Sequence, residues 1–347
     1  MGPPSPPLDS EREFVALDRA VSAVASESAR LAKSSKDNNN SNSGSKMKKK
    51  KGKGMGVAKA RLFCLHAVLV ADGLRAAYLV DAAPMSAVEA STYLALVVRE
   101  SSAWAAADVC VLAMGMDVVL IRADAWHVKV QELTQSAPSW GRVLVDLRGP
   151  ILRVLSAEEE VACVRAELLL AVQCVVFSTL TDTDMGMGTA TDMPRVGRLE
   201  PPCPVLAVGW LLDYPVIYVG TSAALADITD SSASASANGG PSLLAMLPLQ
   251  LLQVCVDLSP RAVGAVPGAP TSLELLQCSA PVGVISAAVG DRGREGERVG
   301  EGAAGEQLMA QLGRGLEDWA AARPSSLFVT AVSTSWSETI IHSTVAM

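Results

Sequence analysis

Aromatic side chains are scarce, 4% of 347 residues, so the apolar half of the chain is built mainly of Ala, Val and Leu. Each of these buries less area than an aromatic ring, which predicts an extensive core with few large anchors. Histidine is rarer still, with His66, His127 and His342 the whole supply, and no Cys-x-x-Cys pair or Cys/His ligand spacing occurs, so a structural zinc site is not expected. Long uncharged apolar runs are missing as well. The best candidate, residues 161–180, is interrupted by Arg165, Glu167 and Gln173, and residues 203–219 carry Asp213 and internal prolines, so neither reaches the roughly 18 uncharged residues of a membrane span. The opening Met-Gly-Pro-Pro-Ser-Pro-Pro, followed by Asp9 and Glu11, has neither the order of a secretory signal nor the acid-poor character of a transit peptide. No membrane association is expected, and a soluble cytoplasmic protein is, with the nucleus as the alternative. Seven widely spaced cysteines, an odd number set mostly among apolar neighbours, suit a reducing compartment.

Charge is present but unevenly placed. The chain holds 29 Lys plus Arg and 36 Asp plus Glu, a net −7. Residues 46–61 carry eight of those cations and no acid, so the remainder has 21 cations against 36 acids, or −15. Lys46, Lys48, Lys49, Lys50, Lys51 and Lys53 form a polybasic run that could serve as a localisation element or bind a polyanion. No aromatic is interleaved for base stacking, which argues against nucleic acid as a partner and for a solvated linker.

Three Ser-x-x-Glu capping boxes mark helix starts, at Ser10/Glu13, Ser86/Glu89 and Ser156/Glu159. The first opens an amphipathic helix through Phe14, Leu17, Val21, Val24 and Leu31, expected to dock on the domain and to fill residues 1–32. Residues 33–57 turn abruptly to Ser, Asn, Lys and Gly and predict a disordered insert, leaving 58–347 as one domain with mobile loops at 227–241 and 290–305. Within it the pattern predicts helices near 62–69, 87–97, 157–176 and 306–322. Strands are predicted at 77–80, 108–114, 117–122, 143–145, 204–211, 215–220, 251–257, 273–278, 282–287, 326–333 and 338–345. Gly115 turns the second of these into the third. Short connections between several strands demand antiparallel pairing, so the expected fold class is α/β, a mixed parallel/antiparallel sheet flanked by helices, with α+β as the alternative.

Motifs that carry chemistry are few. Gly300, Gly302 and Gly305 have dinucleotide-binding spacing but follow a charged loop instead of a strand, which leaves low-complexity glycine as the reading. Val219-Gly220-Thr221-Ser222-Ala223-Ala224 lacks the second glycine of a nucleophile elbow, and Asp182 and Asp184 sit in a stretch whose glycine falls one place early for a calcium loop. The strongest chemical pattern is three apolar strands that end in aspartate: Tyr78-Leu79-Val80-Asp81, Val143-Leu144-Val145-Asp146 and Val254-Cys255-Val256-Asp257. On adjacent parallel strands, Asp81, Asp146 and Asp257 would meet at one sheet edge and could hold Mg²⁺ for phosphoryl transfer or hydrolysis. The plainer alternative is that each carboxylate begins a turn, with no cofactor at all.

Read in order, Tyr78-Leu79-Val80-Asp81, Val118-Val119-Leu120-Ile121, Gly141-Arg142-Val143-Leu144-Val145-Asp146-Leu147 and Val208-Gly209-Trp210-Leu211-Leu212-Asp213-Tyr214-Pro215-Val216-Ile217-Tyr218 form a pattern. It resembles an uncharacterised eukaryotic family first described from a human chromosome 1 open reading frame and classed as a domain of unknown function. Leu-Leu-Asp-Tyr-Pro-Val-Ile-Tyr is its most specific part. The resemblance spans about residues 58–345, implies a single intracellular domain, and supplies no catalytic residue. The expectation is a binding or scaffolding domain with a protein partner; the alternative is the Mg²⁺ enzyme.

Overall fold

The computed structural model describes residues 10–40, 55–135, 142–148, 153–159, 164–179, 194–214, 216–220, 249–263, 271–281 and 329–338. The six lysines of the polybasic run, the loops at 227–241 and 290–305, the helix at 306–322 and the strand at 282–287 lie outside them, as do most of 338–345 and the three dismissed motifs apart from Val219 and Gly220. Helices combine with mixed parallel and antiparallel sheets, as the sequence predicts, but the strands are divided among three sheets.

Helix α1 (Ser10–Asn40) buries Leu17, Val21 and Val24 at the expected spacing and continues eight residues past residue 32, into the segment read as an insert. The helix is described from Ser10, whose side chain lies outside what is described, and Glu13 accepts a hydrogen bond from Ser101 of a distant loop. Helix α2 (Val57–Ala71) is buried at every position from Phe63 to Ala71, as befits a helix covered on all sides. Helix α3 (Ala87–Val98) starts at a complete capping box: Ser86 Oγ accepts from Glu89 N, and Glu89 returns the bond to Ser86 N. A short helix, α4 (Ser102–Ala106), leads into the central sheet.

That sheet has the order β1 (Ala77–Leu79), β3 (Asp117–Arg122), β2 (Val109–Met114), β7 (Arg195–Arg198), β6 (Ser178–Thr179); β2 and β7 run parallel and the other pairs antiparallel. Gly115, at φ +62°, turns β2 into β3. Its two faces build two cores. Tyr78, Val111, Val118 and Leu120 pack under α1, α2 and α3. Ala77, Leu112, Met114, Val119 and Ile121 face α5 (Ala123–Thr134), α7 (Ala166–Gln173) and α8 (Pro204–Leu211), where Trp126 meets Trp210 and Phe177 edge-on. Ser156 and Glu159 exchange their capping bonds and open α6 (Ala157–Glu159).

A second sheet, β5 (Arg153–Val154), β4 (Val143–Asp146), β8 (Val216–Val219), pairs β4 parallel to β8 and adds Leu144 and Ile217 to the second core. The third, β10 (Ser272–Pro281), β9 (Leu249–Leu258), β11 (Val329–Glu338), is wholly antiparallel. Val256, Leu258 and Leu273 turn inward to the first core, beside α9 (Pro260–Val263). Residues 204–211 were expected as a strand and form α8, because an apolar run without period fits either element; Pro204 at the first turn favours the helix. No helix among the described residues is long and apolar enough to cross a membrane.

Candidate functional site

The corner between α2 and β1 brings together polar side chains from an otherwise apolar stretch. After Ala71 the chain reverses through Gly73, whose φ of +75° excludes most side chains and whose missing Cβ leaves room for the Arg122 guanidinium. The Arg75 amide then bonds back to the Leu69 carbonyl at 3.1 Å. This turn aims Arg75 at His66, one helical turn before the end of α2, with Arg75 Nη1 2.7 Å from His66 Nδ1. A guanidinium can only donate, so Nδ1 is the acceptor and His66 is the neutral tautomer with its proton on Nε2. The imidazole stacks on Tyr78 at 4.1 Å between centroids and 19° between planes, and the guanidinium lies 5.1 Å from the same ring. The Tyr78 hydroxyl donates to Asp81 Oδ1 at 3.0 Å.

Burial sets the protonation states. It pushes the His66 pKa well below the ordinary value, and the positive charge of Arg75 pushes it further. It raises the Tyr78 phenol, reinforced by Asp81. It lowers Arg75 also, against the attraction of Tyr78, Tyr214, Asp81 and Glu274. Glu274 belongs to β10, opposite Cys255 on the outer face of the third sheet, and accepts from Gln253 Nε2 at 3.2 Å. Burial raises its pKa; Gln253 and Arg75 oppose the shift and Asp81 adds to it. Among the described residues no carboxylate stands at ion-pair distance from Arg75, although Asp81 and Glu274 are close enough to act on it. The junction therefore holds one guanidinium, two nearby carboxylates, a neutral imidazole and a phenol, drawn from α2, β1 and β10.

The expected trio of strand-end aspartates is split. Asp81 follows β1 in the central sheet, Asp146 ends β4 in the second sheet and Asp257 lies on β9 in the third, so the adjacency that a shared ion would require is not formed. Asp146 is buried, its Oδ1 accepting from Arg148 N and Nε at 3.0 and 2.8 Å and its Oδ2 from Arg153 Nη2 at 3.1 Å. Burial works against that charge, but the bonds and charge of Arg148, with Arg153, outweigh it and hold the carboxyl below its usual range. Asp257 is exposed opposite Ser272 and Ala331. Among the described residues no group of three or more His, Cys, Asp or Glu could hold a metal ion, and the three carboxylates do not fit Mg²⁺.

A second ionic cluster joins α5 to the α8–β8 turn. Asp213, at φ +61°, accepts from Lys129 Nζ and from Arg142 Nη2, and Glu132 stands 3.7 and 3.5 Å from the same two cations. Lys129 is only 3% exposed; burial lowers its pKa, against the pull of Asp213. For Asp213, burial is outweighed by Lys129 and Arg142, and its carboxyl is held below the ordinary range. Every charge here has its complement in place, so the cluster serves as a tie between elements.

His66, Arg75 and Tyr78 were not singled out in the sequence. The signal that pointed to them is compositional: between Leu62 and Val80 the chain is apolar or small except for His66, Asp72 and Arg75. No family model, curated protein or solved structure matches the chain.

Proposed function

We propose that the chain is a cytoplasmic binding domain of the uncharacterised eukaryotic family it resembles, and that it receives a charged ligand at the Arg75 junction. The observation that carries this reading is the state of Arg75: a guanidinium desolvated enough for its pKa to fall, held by a neutral histidine and an aromatic ring, with no carboxylate at ion-pair distance among the described residues. A half-buried guanidinium without an ion pair among the described residues gains a charge-assisted bond from a ligand carrying a negative group. The neighbours suit holding better than proton transfer. The one imidazole lone pair of His66 is occupied by Arg75, and the Tyr78 phenol is pushed away from ionisation, so neither is poised as a base near neutral pH.

Thermal unfolding with acetate, inorganic phosphate, glycine and methylamine tests the reading. A ligand that binds only the folded state at about 100 times its dissociation constant adds about 2.7 kcal/mol, which is a measurable rise in melting temperature. At least one of these solutes should raise it saturably in the wild type and fail to do so in Arg75→Gln. No response in the wild type, or an equal response in the variant, would remove the proposal.

A further inference from the structure

We propose that the ligand of the Arg75 junction is a small zwitterion of the α-amino acid class, its carboxylate on Arg75 and its ammonium at Asp81. This names the ligand class of the binding reading above and rests on it.

The charges decide between ligand classes. A simple anion such as phosphate would gain Arg75 but meet the fields of Asp81 and Glu274, which both reach the guanidinium. A simple cation would gain the carboxylates and meet Arg75. A molecule bearing both signs satisfies both halves at once.

The geometry points the same way. Arg75 and Asp81 attract each other, and both contact Tyr78: the guanidinium is 5.1 Å from the ring centroid and Asp81 is 3.0 Å from the hydroxyl, with no ion pair joining them among the described residues. Each head group is fixed on one side by that arrangement. Arg75 gives Nη1 to His66, which leaves the edge formed by Nε and Nη2 for the two oxygens of a carboxylate. Asp81 receives the phenol on Oδ1 and is exposed, so an ammonium can approach its carboxylate from solvent.

The test uses the full chain and calorimetric or equilibrium-dialysis titration with each of the common L-amino acids, acetate and inorganic phosphate. For the tightest amino acid, its N-acetyl and amide forms follow. At least one free amino acid should bind, and masking either its ammonium or its carboxylate should weaken binding at least about tenfold, the scale of a lost charge-assisted hydrogen bond. Asp81 is exposed, so Asp81→Asn should fold normally while binding the free and N-acetyl forms equally. If the N-acetyl form binds the wild type as tightly as the free acid, or if acetate or phosphate binds and no amino acid does, the zwitterion assignment is overturned and the binding reading stands. If no solute binds, both fall.

Discussion

Lowering the pH from 7 to 5 should destabilise the protein through one side chain, His66. It is 5% exposed, stacked on Tyr78, and accepts on Nδ1 from Arg75 at 2.7 Å. A proton on Nδ1 would break that bond and set two cations against each other. Burial first, and Arg75 second, therefore hold its folded pKa well below the ordinary 6.5. In the unfolded chain the imidazole takes up its proton near 6.5. Below that pH the unfolded state binds a proton that the folded state refuses, so stability falls as pH falls until the depressed folded pKa is reached. The limiting slope for one proton is about 1.4 kcal/mol per pH unit, and the loss accumulated by pH 5 is about 2 kcal/mol. The depressed carboxylates Asp146 and Asp213 contribute only below about pH 4, outside this window. Glu274, whose folded pKa is raised, works in the opposite sense and offsets part of the loss at the acid end. Urea denaturation midpoints at pH 7, 6 and 5 measure the effect, with His66→Gln as the control: Gln costs stability at every pH but should flatten the slope. A wild type that is flat between pH 7 and 5, or a variant that keeps the wild-type slope, would refute the reasoning.

Asp213→Asn keeps a residue that tolerates φ +61° but removes the charge that Lys129 and Arg142 share; because Asp213's side chain is 24% exposed, the loss should fall at about 2–3 kcal/mol, below the full cost of breaking a buried pair. Adding Lys129→Met should recover part of that loss in a double-mutant cycle read by urea denaturation. Gly197→Ala places a methyl group 2.8 Å from the Phe177 ring and should destabilise by about 1–3 kcal/mol, with a lowered melting temperature as the readout.

Local chemistry was legible wherever a short segment decides the outcome. The Ser86–Glu89 box is complete because it needs only four consecutive residues, and Gly115 turns β2 into β3 because no other element takes part. The run 204–211 was not legible, since Val, Leu, Ala and Trp at nearly every position bury equally well as helix or strand, and only packing against both β8 and the second core selects α8. For Glu13 the spacing gave no hint of its long-range partner, the Ser101 hydroxyl, which donates to it from 88 residues away. The site followed the same division. Asp81 stood out as a strand-end carboxylate, but its grouping with Asp146 and Asp257 required knowing how the strands divide into sheets, which is set by pairings between segments far apart in the chain. Its hydrogen-bond partner is Tyr78, and the guanidinium that feels its charge, Arg75, comes from a helix–strand corner that no fixed spacing announces.

The shortage of aromatics connects these observations. Surfaces of Ala, Val and Leu are smooth and can slide, so they fill a core without fixing how its elements register. The buried polar residues supply that register through bonds between distant segments: Ser28 to the Met55 amide, Arg61 to the Ala262 carbonyl, Ser91 to the Pro194 carbonyl, Ser101 to Glu13, Lys129 to Asp213 and Arg165 to the Gln135 carbonyl. In each case a partner from the protein itself completes the bond, and replacing one end alone leaves a buried group unsatisfied. His66 and Arg75 are built the same way on one side, with the imidazole accepting from the guanidinium. They differ in that the positive charge so fixed has no carboxylate at ion-pair distance among the described residues. Selection for stability alone would place an acid beside Arg75, as it does beside Lys129. That Asp81 instead takes the Tyr78 hydroxyl, on the ring the guanidinium also contacts, is the reason the junction reads as a site for something the chain does not itself contain.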